Sequence, residues 1–312
     1  MSVMSSTPHF DREAILRFSP TSVANAMATA FSLVTKGQAV TPSRKDIDLG
    51  EGVGIFLISG GFSDLDILTV KVIHVRPDNP SVGLARLQGG LLAFSYRTGE
   101  LLATIDAAAA TEVRTAAGSA LSVRLLAVPD ASVLTVFGTA AQARGHITAI
   151  RAERPVREVR VVGRSAAGAT ALAAEVGGSV FDNTRDALAG AHIVVAATNS
   201  RTPIFPAQEV APASHVCAVG NGAHDATELD PTLFGRCSGI FVDHLPSCLR
   251  EAGELIAALD AGVVAPAKVR ELGELVTGRV PGRPSAEAIT CFKSVGHGTQ
   301  DAAFAALLLG RL

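Results

Sequence analysis

Val133-Leu-Thr-Val-Phe-Gly-Thr-Ala-Ala-Gln-Ala143 is an apolar, β-branched run that meets a glycine, then a turn of small residues that opens a helical pattern. An α/β nucleotide-binding fold places the pyrophosphate of a dinucleotide at such a turn, on the N-terminus of the helix that follows. The usual fingerprint is Gly-x-Gly-x-x-Gly/Ala. Gly138 and Ala143 fit it, whereas Ala140 stands where the middle glycine belongs and brings one methyl towards the phosphate. Thr139, Ala140 and Gln142 complete the turn, so all five positions are candidates for cofactor contact.

Outward from this stretch towards the C-terminus, the pattern alternates. Strand 133–138 precedes a helix at 141–152, strand 157–163 precedes a helix at 166–175, and a helical 184–189 precedes the apolar run Ala191-Ala197. The order βαβαβ predicts a doubly wound parallel sheet covered by helices on both faces, which His215-Val219 and Ile240-Val242 extend. At the close of the second strand an acid would bond the ribose 2′-hydroxyl, while a cation would accept a 2′-phosphate. That place reads Val161-Val-Gly-Arg-Ser165, so Arg164 and Ser165 favour NADP(H) over NAD(H). The third strand ends in Ala196-Ala-Thr-Asn-Ser-Arg-Thr-Pro203, whose small polar residues line the cofactor's other side. Thr198, and Val219 at the end of the next run, are the candidates there.

Towards the N-terminus the texture differs. Residues 10–35 read as helix, with Ile15, Leu16, Val23, Met27, Ala30 and Phe31 at helical spacing and an early break at Pro20. Between 53 and 108 the runs Val53-Ile58, Leu68-Val75, Leu91-Tyr96 and Leu101-Asp106 are separated by Gly-Gly, Pro-Asp-Asn-Pro, Gly-Gly and Arg-Thr-Gly. This spacing predicts antiparallel strands joined by turns. An Ala-rich helix over 109–128 connects the two halves, and an Ala/Leu helix over 300–312 is expected to pack on the first domain or on a partner subunit.

Three cations lie in apolar or small-residue settings: Arg44, Lys71 and Arg114. Lys71 is the most telling, because a lysine within a β-branched strand must either reach water or meet an anion. The planar guanidinium fork suits a small carboxylate. The 312 residues allow two domains, and 27 basic against 29 acidic residues give a net charge of -2 with no basic block. That balance argues against nucleic acid or an acidic membrane as the main partner and favours a small molecule. No apolar run of about twenty residues and no leader pattern stand out, so a soluble cytoplasmic protein is expected. Cys217, Cys237, Cys248 and Cys291 have no Cys-x-x-Cys spacing, which predicts buried reduced thiols and no metal site.

The chain resembles the ornithine cyclodeaminase/mu-crystallin family along nearly its whole length. The resemblance rests on Pro42-Ser-Arg44, Val70-Lys71 with Pro77-Asp-Asn-Pro80, Thr98-Gly-Glu-Leu-Leu-Ala103 with Asp106, and Thr111-x-x-Arg-Thr-Ala-Ala117. It continues through Gly138-Thr-x-x-Gln-Ala143 with His146, Ala218-Val-Gly220 with Glu228-Leu-Asp230, Asp243, Gly253-Glu254, and Phe292-Lys-Ser-Val-Gly296 with Asp301. The resemblance implies a Rossmann-type NAD(P)-binding domain over 116–292 and a smaller α+β substrate-binding and dimerisation domain over 1–115 with 293–312. It also implies a homodimer. Arg44, Lys71 and Arg114 would hold the carboxylate of an amino or imino acid, Lys293 and Ser294 would lie by the cofactor, and Asp301 would support Lys293 and Ser294.

One departure matters. The cyclodeaminases carry an aspartate where this chain has Gly222, in Gly220-Asn-Gly-Ala-His-Asp225. Loss of that base disfavours deamination with ring closure and harms reduction of a protonated imine less. The expected activity is therefore NAD(P)H-dependent reduction of a small cyclic ketimine such as pyrroline- or piperideine-2-carboxylate. The alternatives are ornithine cyclodeamination, alanine dehydrogenation, and NADP(H) binding without turnover.

Overall fold

A computed structural model describes residues 7–84, 87–220 and 222–312. The chain divides into two compact units, one taking the residues up to Arg114 together with His297–Leu312, the other Thr115–Gly296.

Among the described residues the first unit holds a six-stranded sheet of β1 (His9–Phe10), β2 (Lys45–Asp48), β3 (Gly54–Phe62), β4 (Ile67–Val75), β5 (Leu87–Phe94) and β6 (Leu101–Asp106), in the order β1-β6-β5-β4-β3-β2. All neighbours are antiparallel except β1 with β6. The helix Gly298–Leu308 lies on β3 and β4, with the helix Pro20–Thr35 packed against it. Nearly every residue of Gly298–Leu308 is buried, which a helix of Ala, Leu and Phe can sustain without an amphipathic stripe. On the opposite sheet face, Leu57, Val70, Val72, Leu92 and Phe94 remain half-buried.

Both Gly-Gly pairs expected to separate strands lie inside them instead, Gly60-Gly61 in β3 and Gly89-Gly90 in β5. The reason is close approach. A Cβ at Gly60 would overlap the backbone of Gly298, one at Gly298 would overlap Ser59, and one at Gly89 would overlap the carbonyl of Val72. Glycine here makes room for a neighbouring backbone and does not mark a turn.

The second unit is a parallel sheet of β7 (Val133–Phe137), β8 (Glu158–Val162), β9 (Ser179–Val180), β10 (Ile193–Ala196), β11 (His215–Ala218), β12 (Cys237–Val242), β13 (Val269–Glu271) and β14 (Ile289–Lys293). Its order is β13-β12-β14-β11-β10-β7-β8-β9. The sequence order reverses at β7, the switch point beside which such sheets bind their ligands. One face packs Ile147, Ile150, Leu172 and Val123 against Leu134, Val136 and Val195; the other packs Phe205, Leu233, Phe234 and Leu255 against Val194, Val216 and Val242. The four cysteines are buried free thiols. Among the described residues no helix is long and apolar enough to cross a membrane.

Candidate functional site

In the first unit, alternation along β4 turns Thr69 and Lys71 towards the helix Gly298–Leu308. The Gly60 and Gly298 contact brings that helix down onto the sheet, so that Asp301, in its first turn, stands over Lys71. Lys71 Nζ lies 2.7 Å from Asp301 Oδ2 and donates to Thr111 Oγ1 at 3.2 Å. Asp106 accepts from Ala109 N at the start of the helix Ala107–Leu126, which presents Thr111 and, one turn on, Arg114. Arg114 Nε donates to Asp301 Oδ1 at 3.2 Å, and its NH1 donates to Gln300 Oε1 at 2.9 Å. Gln300 Oε1 also accepts from His297 N at 3.2 Å, which closes the helix N-terminus. Arg44 pairs with Asp46 at 3.2 Å and lies over the ring of Phe56.

The charges do not balance. Burial pushes the Lys71 ammonium down, to about 8, with Arg114 and Arg44 pushing the same way and Asp301 resisting. Burial alone would raise the Asp301 carboxyl, yet Lys71 and Arg114 outweigh it and hold it below the ordinary aspartate range. Two buried cations, Lys71 and Arg114, thus share the one carboxylate of Asp301, and Arg44 presses on Lys71 from its pair with Asp46, so the cluster carries a surplus positive charge that a small anion would offset.

In the second unit, Gly138 follows β7 with φ +119°, and a Cβ there would come within 2.5 Å of the Ala197 carbonyl oxygen. Ala140 is the N-cap of the helix Ala141–Arg151 and supplies no capping side chain. Ser165 and Asn183, by contrast, cap the helices Ala166–Val176 and Thr184–Leu188 through their side chains. A first helix left without a capping side chain after a strained glycine fits a pyrophosphate, which caps it in place of a side chain. Ala143 is buried where helix and strand approach, and Thr139 packs on Gly163 and Gly168. Gln142 gives its carbonyl to His146 Nδ1 at 2.7 Å. Arg164 is exposed and, among the described residues, meets no carboxylate; Ser165 Oγ accepts from Gly168 N. The loop beyond β8 can therefore take a phosphate.

Glu228 is fully buried and bridges two strand ends, its Oε1 accepting from Thr198 N at 2.5 Å and its Oε2 from Gly220 N at 3.0 Å. Val219 N donates to Ala196 O at 2.9 Å in the same place. Lys293 Nζ lies 2.7 Å from Glu254 Oε1, both fully buried. Ser294 Oγ and Gly296 N both donate to Asp243 Oδ2 at 2.7 Å. Lys293 and Ser294 are thus committed to carboxylates. Asp301, expected beside them, bonds Lys71 and Arg114 instead, because the Gly60 and Gly298 approach sets its helix on β4.

Gly222 carries no acid, and neither neighbour offers a protected one. His224 and Asp225 are both exposed, and Asp225 is paired with Arg201, which holds its carboxyl below the usual range. Sequence reasoning missed the roles of Thr111, Gln300, Glu228, Glu254 and Asp243; a carboxylate within an otherwise apolar or glycine-rich segment was the available signal.

Comparison with known proteins agrees with this architecture. Residues 12–312 match the model of the ornithine cyclodeaminase/mu-crystallin family. A putative dehydrogenase of Rhizobium meliloti is 36% identical over 289 residues, 90% of this chain and 87% of the relative. Ketimine reductase mu-crystallin of Mus musculus is 30% identical over 281 residues, 89% of this chain and 87% of the relative. The solved Thermococcus litoralis Delta(1)-pyrroline-2-carboxylate reductase, in complex with NADH and L-proline, is 27% identical, with a TM-score of 0.91 over 97% of both chains. By its fold, its residues and these relatives, the chain is an oxidoreductase that belongs to the ornithine cyclodeaminase/mu-crystallin family.

Proposed function

We propose that the protein reduces small cyclic 2-imino acids, of the pyrroline- and piperideine-2-carboxylate kind, with NADPH as the preferred reductant. The observation that carries this reading is the surplus of buried positive charge around Asp301. Arg114 and Arg44 clamp the substrate carboxylate, replacing water with fixed donors. Lys71, held by Asp301 and Thr111, directs its remaining N–H at the lone pair of the neutral imine nitrogen and gives that proton to it as the hydride reaches the imine carbon, then regains a proton from water. The bound dinucleotide supplies the hydride. Gly138 and the open start of Ala141–Arg151 hold its pyrophosphate, Thr198 and Val219 line the nicotinamide side, and Arg164 with Ser165 takes the 2′-phosphate. Exposure and ion pairing of Asp225 disfavour cyclodeamination, which needs a sheltered base near the amine.

The half-buried apolar face of Leu57, Val70, Val72, Leu92 and Phe94 supports a homodimer. Four buried free thiols suit a reducing cytoplasm.

Steady-state oxidation of NADPH with pyrroline-2-carboxylate and its six-membered homologue tests the reaction, and no turnover with either overturns it. Arg164→Ala is expected to weaken NADPH about tenfold while leaving NADH unchanged, since one exposed charge-assisted contact is lost. Sedimentation of the full chain tests the dimer.

A further inference from the structure

The carboxylate of Glu228 is shut off from solvent, and both its oxygens accept from backbone, one from Thr198 N and one from Gly220 N. Those amides follow β10 and β11, neighbouring parallel strands on the side of β7 opposite β8. In a doubly wound sheet the half containing the second strand takes the adenine nucleotide and the other half takes the nicotinamide nucleotide. The two strand ends are drawn together so closely that a Cβ at Gly220 would overlap Thr198 and Glu228 Oε1. Glu228 is itself anchored, since its carbonyl accepts from Ile204 N at 3.0 Å and the next acid, Asp230, accepts from Ala207 N and Thr232 N.

We propose that Glu228 is the positioning residue for the nicotinamide half of the dinucleotide: its single carboxylate sets the spacing of the Thr198 and Gly220 backbones that line that half. This rests on the second unit being the dinucleotide domain. A carboxylate does what no neutral side chain of that shape can do, because it accepts at both oxygens. An amide would turn a donor towards one of the two N–H groups and push that strand end away. Burial and the nearby Glu254 push the Glu228 carboxyl up, and Lys293 together with the N–H of Thr198 opposes them in favour of the charged form. The adenine half, built on Gly163 to Gly168, does not touch Glu228, so the two halves of the ligand should respond differently.

The test is titration of the full chain with NADPH, with NADH, and with 2′-phospho-ADP-ribose, which lacks the nicotinamide. In Glu228→Gln the dinucleotides should bind about tenfold or more weakly, while 2′-phospho-ADP-ribose binds as in the wild type. With saturating cofactor, KM for the imino acid should be unchanged. Arg124→Ala, which breaks the ion pair with Glu153 elsewhere in the second unit, should lower the melting temperature and leave all three affinities alone. Equal losses for NADPH and 2′-phospho-ADP-ribose in Glu228→Gln overturn the proposal, as does unaltered dinucleotide binding. Should Glu228→Gln fail to fold, Glu228→Asp keeps the charge opposite Lys293, shortens its reach, and carries the same expectation. A wild-type chain that binds none of the ligands fails the dinucleotide reading instead.

Discussion

Lys71 in the first unit and Lys293 in the second are both fully buried on strands, and both meet a carboxylate at 2.7 Å. Their ionisation nevertheless moves in opposite directions. Burial disfavours charge on each. Arg114 and Arg44 add to that pressure on Lys71, whereas Glu254 and Glu228 overcome it on Lys293 and hold its ammonium above the ordinary range. Desolvation sets the scale of the problem, and the neighbours decide its sign. A cluster with surplus cations awaits an anion from outside, while one with surplus carboxylate spends its excess on backbone N–H groups. On the function proposed above, the first binds substrate and the second holds a shape.

The sharpest way to break this comparison is to delete each lysine's charge. Lys293→Met leaves Glu254 and Glu228 buried together, and should cost about 3–5 kcal/mol of stability in denaturant unfolding. Lys71→Met leaves Asp301 with Arg114, so its stability loss should be clearly smaller while turnover collapses. Arg114→Lys keeps the charge but loses the fork, and should lower kcat/KM about a hundredfold, mainly through KM for the imino acid.

The pH profile sharpens the contrast further. With Lys71 titrating at about 8 and required protonated, kcat/KM should fall tenfold per unit above that pH. Asp301→Asn removes the charge that supports the ammonium, so the fall should begin at lower pH. The smallest expected effect is on acid stability. In the second unit His146 and His215 are buried and neutral, lowered by burial to about 4 and about 3, His215 also by Arg283 and Arg154. Unfolded, they take up protons near 6.5, so the stability they contribute is complete above that pH and is lost as pH falls towards 4 and 3. Asp301, lowered in the folded state, gives way only below the ordinary aspartate range of about 3.8. Hydrogen exchange on mild acidification should therefore loosen the second unit before the first.

Much of this was legible in the sequence. The apolar runs from 133 onward carry the period and punctuation of strands and helices, and Arg44, Lys71 and Arg114 stand out because cations are costly where they lie. The carboxylates were harder to read. Asp301 lies 230 residues from Lys71, and only the docking of one helix through Gly60 and Gly298 reveals that they are partners. Local pattern places a residue on a face; it does not say which distant face will cover it. The Gly-Gly pairs mislead for the same reason, since a glycine that yields space to another backbone looks the same as one that turns the chain.

Because the first unit is closed by His297–Leu312, it is assembled from both ends of the chain, with the whole of Thr115–Gly296 in between. During synthesis, β4 and Lys71 emerge long before Asp301 exists to neutralise them. The second unit has all its strands before the last helix is made. During synthesis the Lys71, Arg114 and Asp301 cluster can therefore close only after the second unit is complete, and a truncation before Gly298 should yield a chain whose second unit folds while its first stays open to proteases.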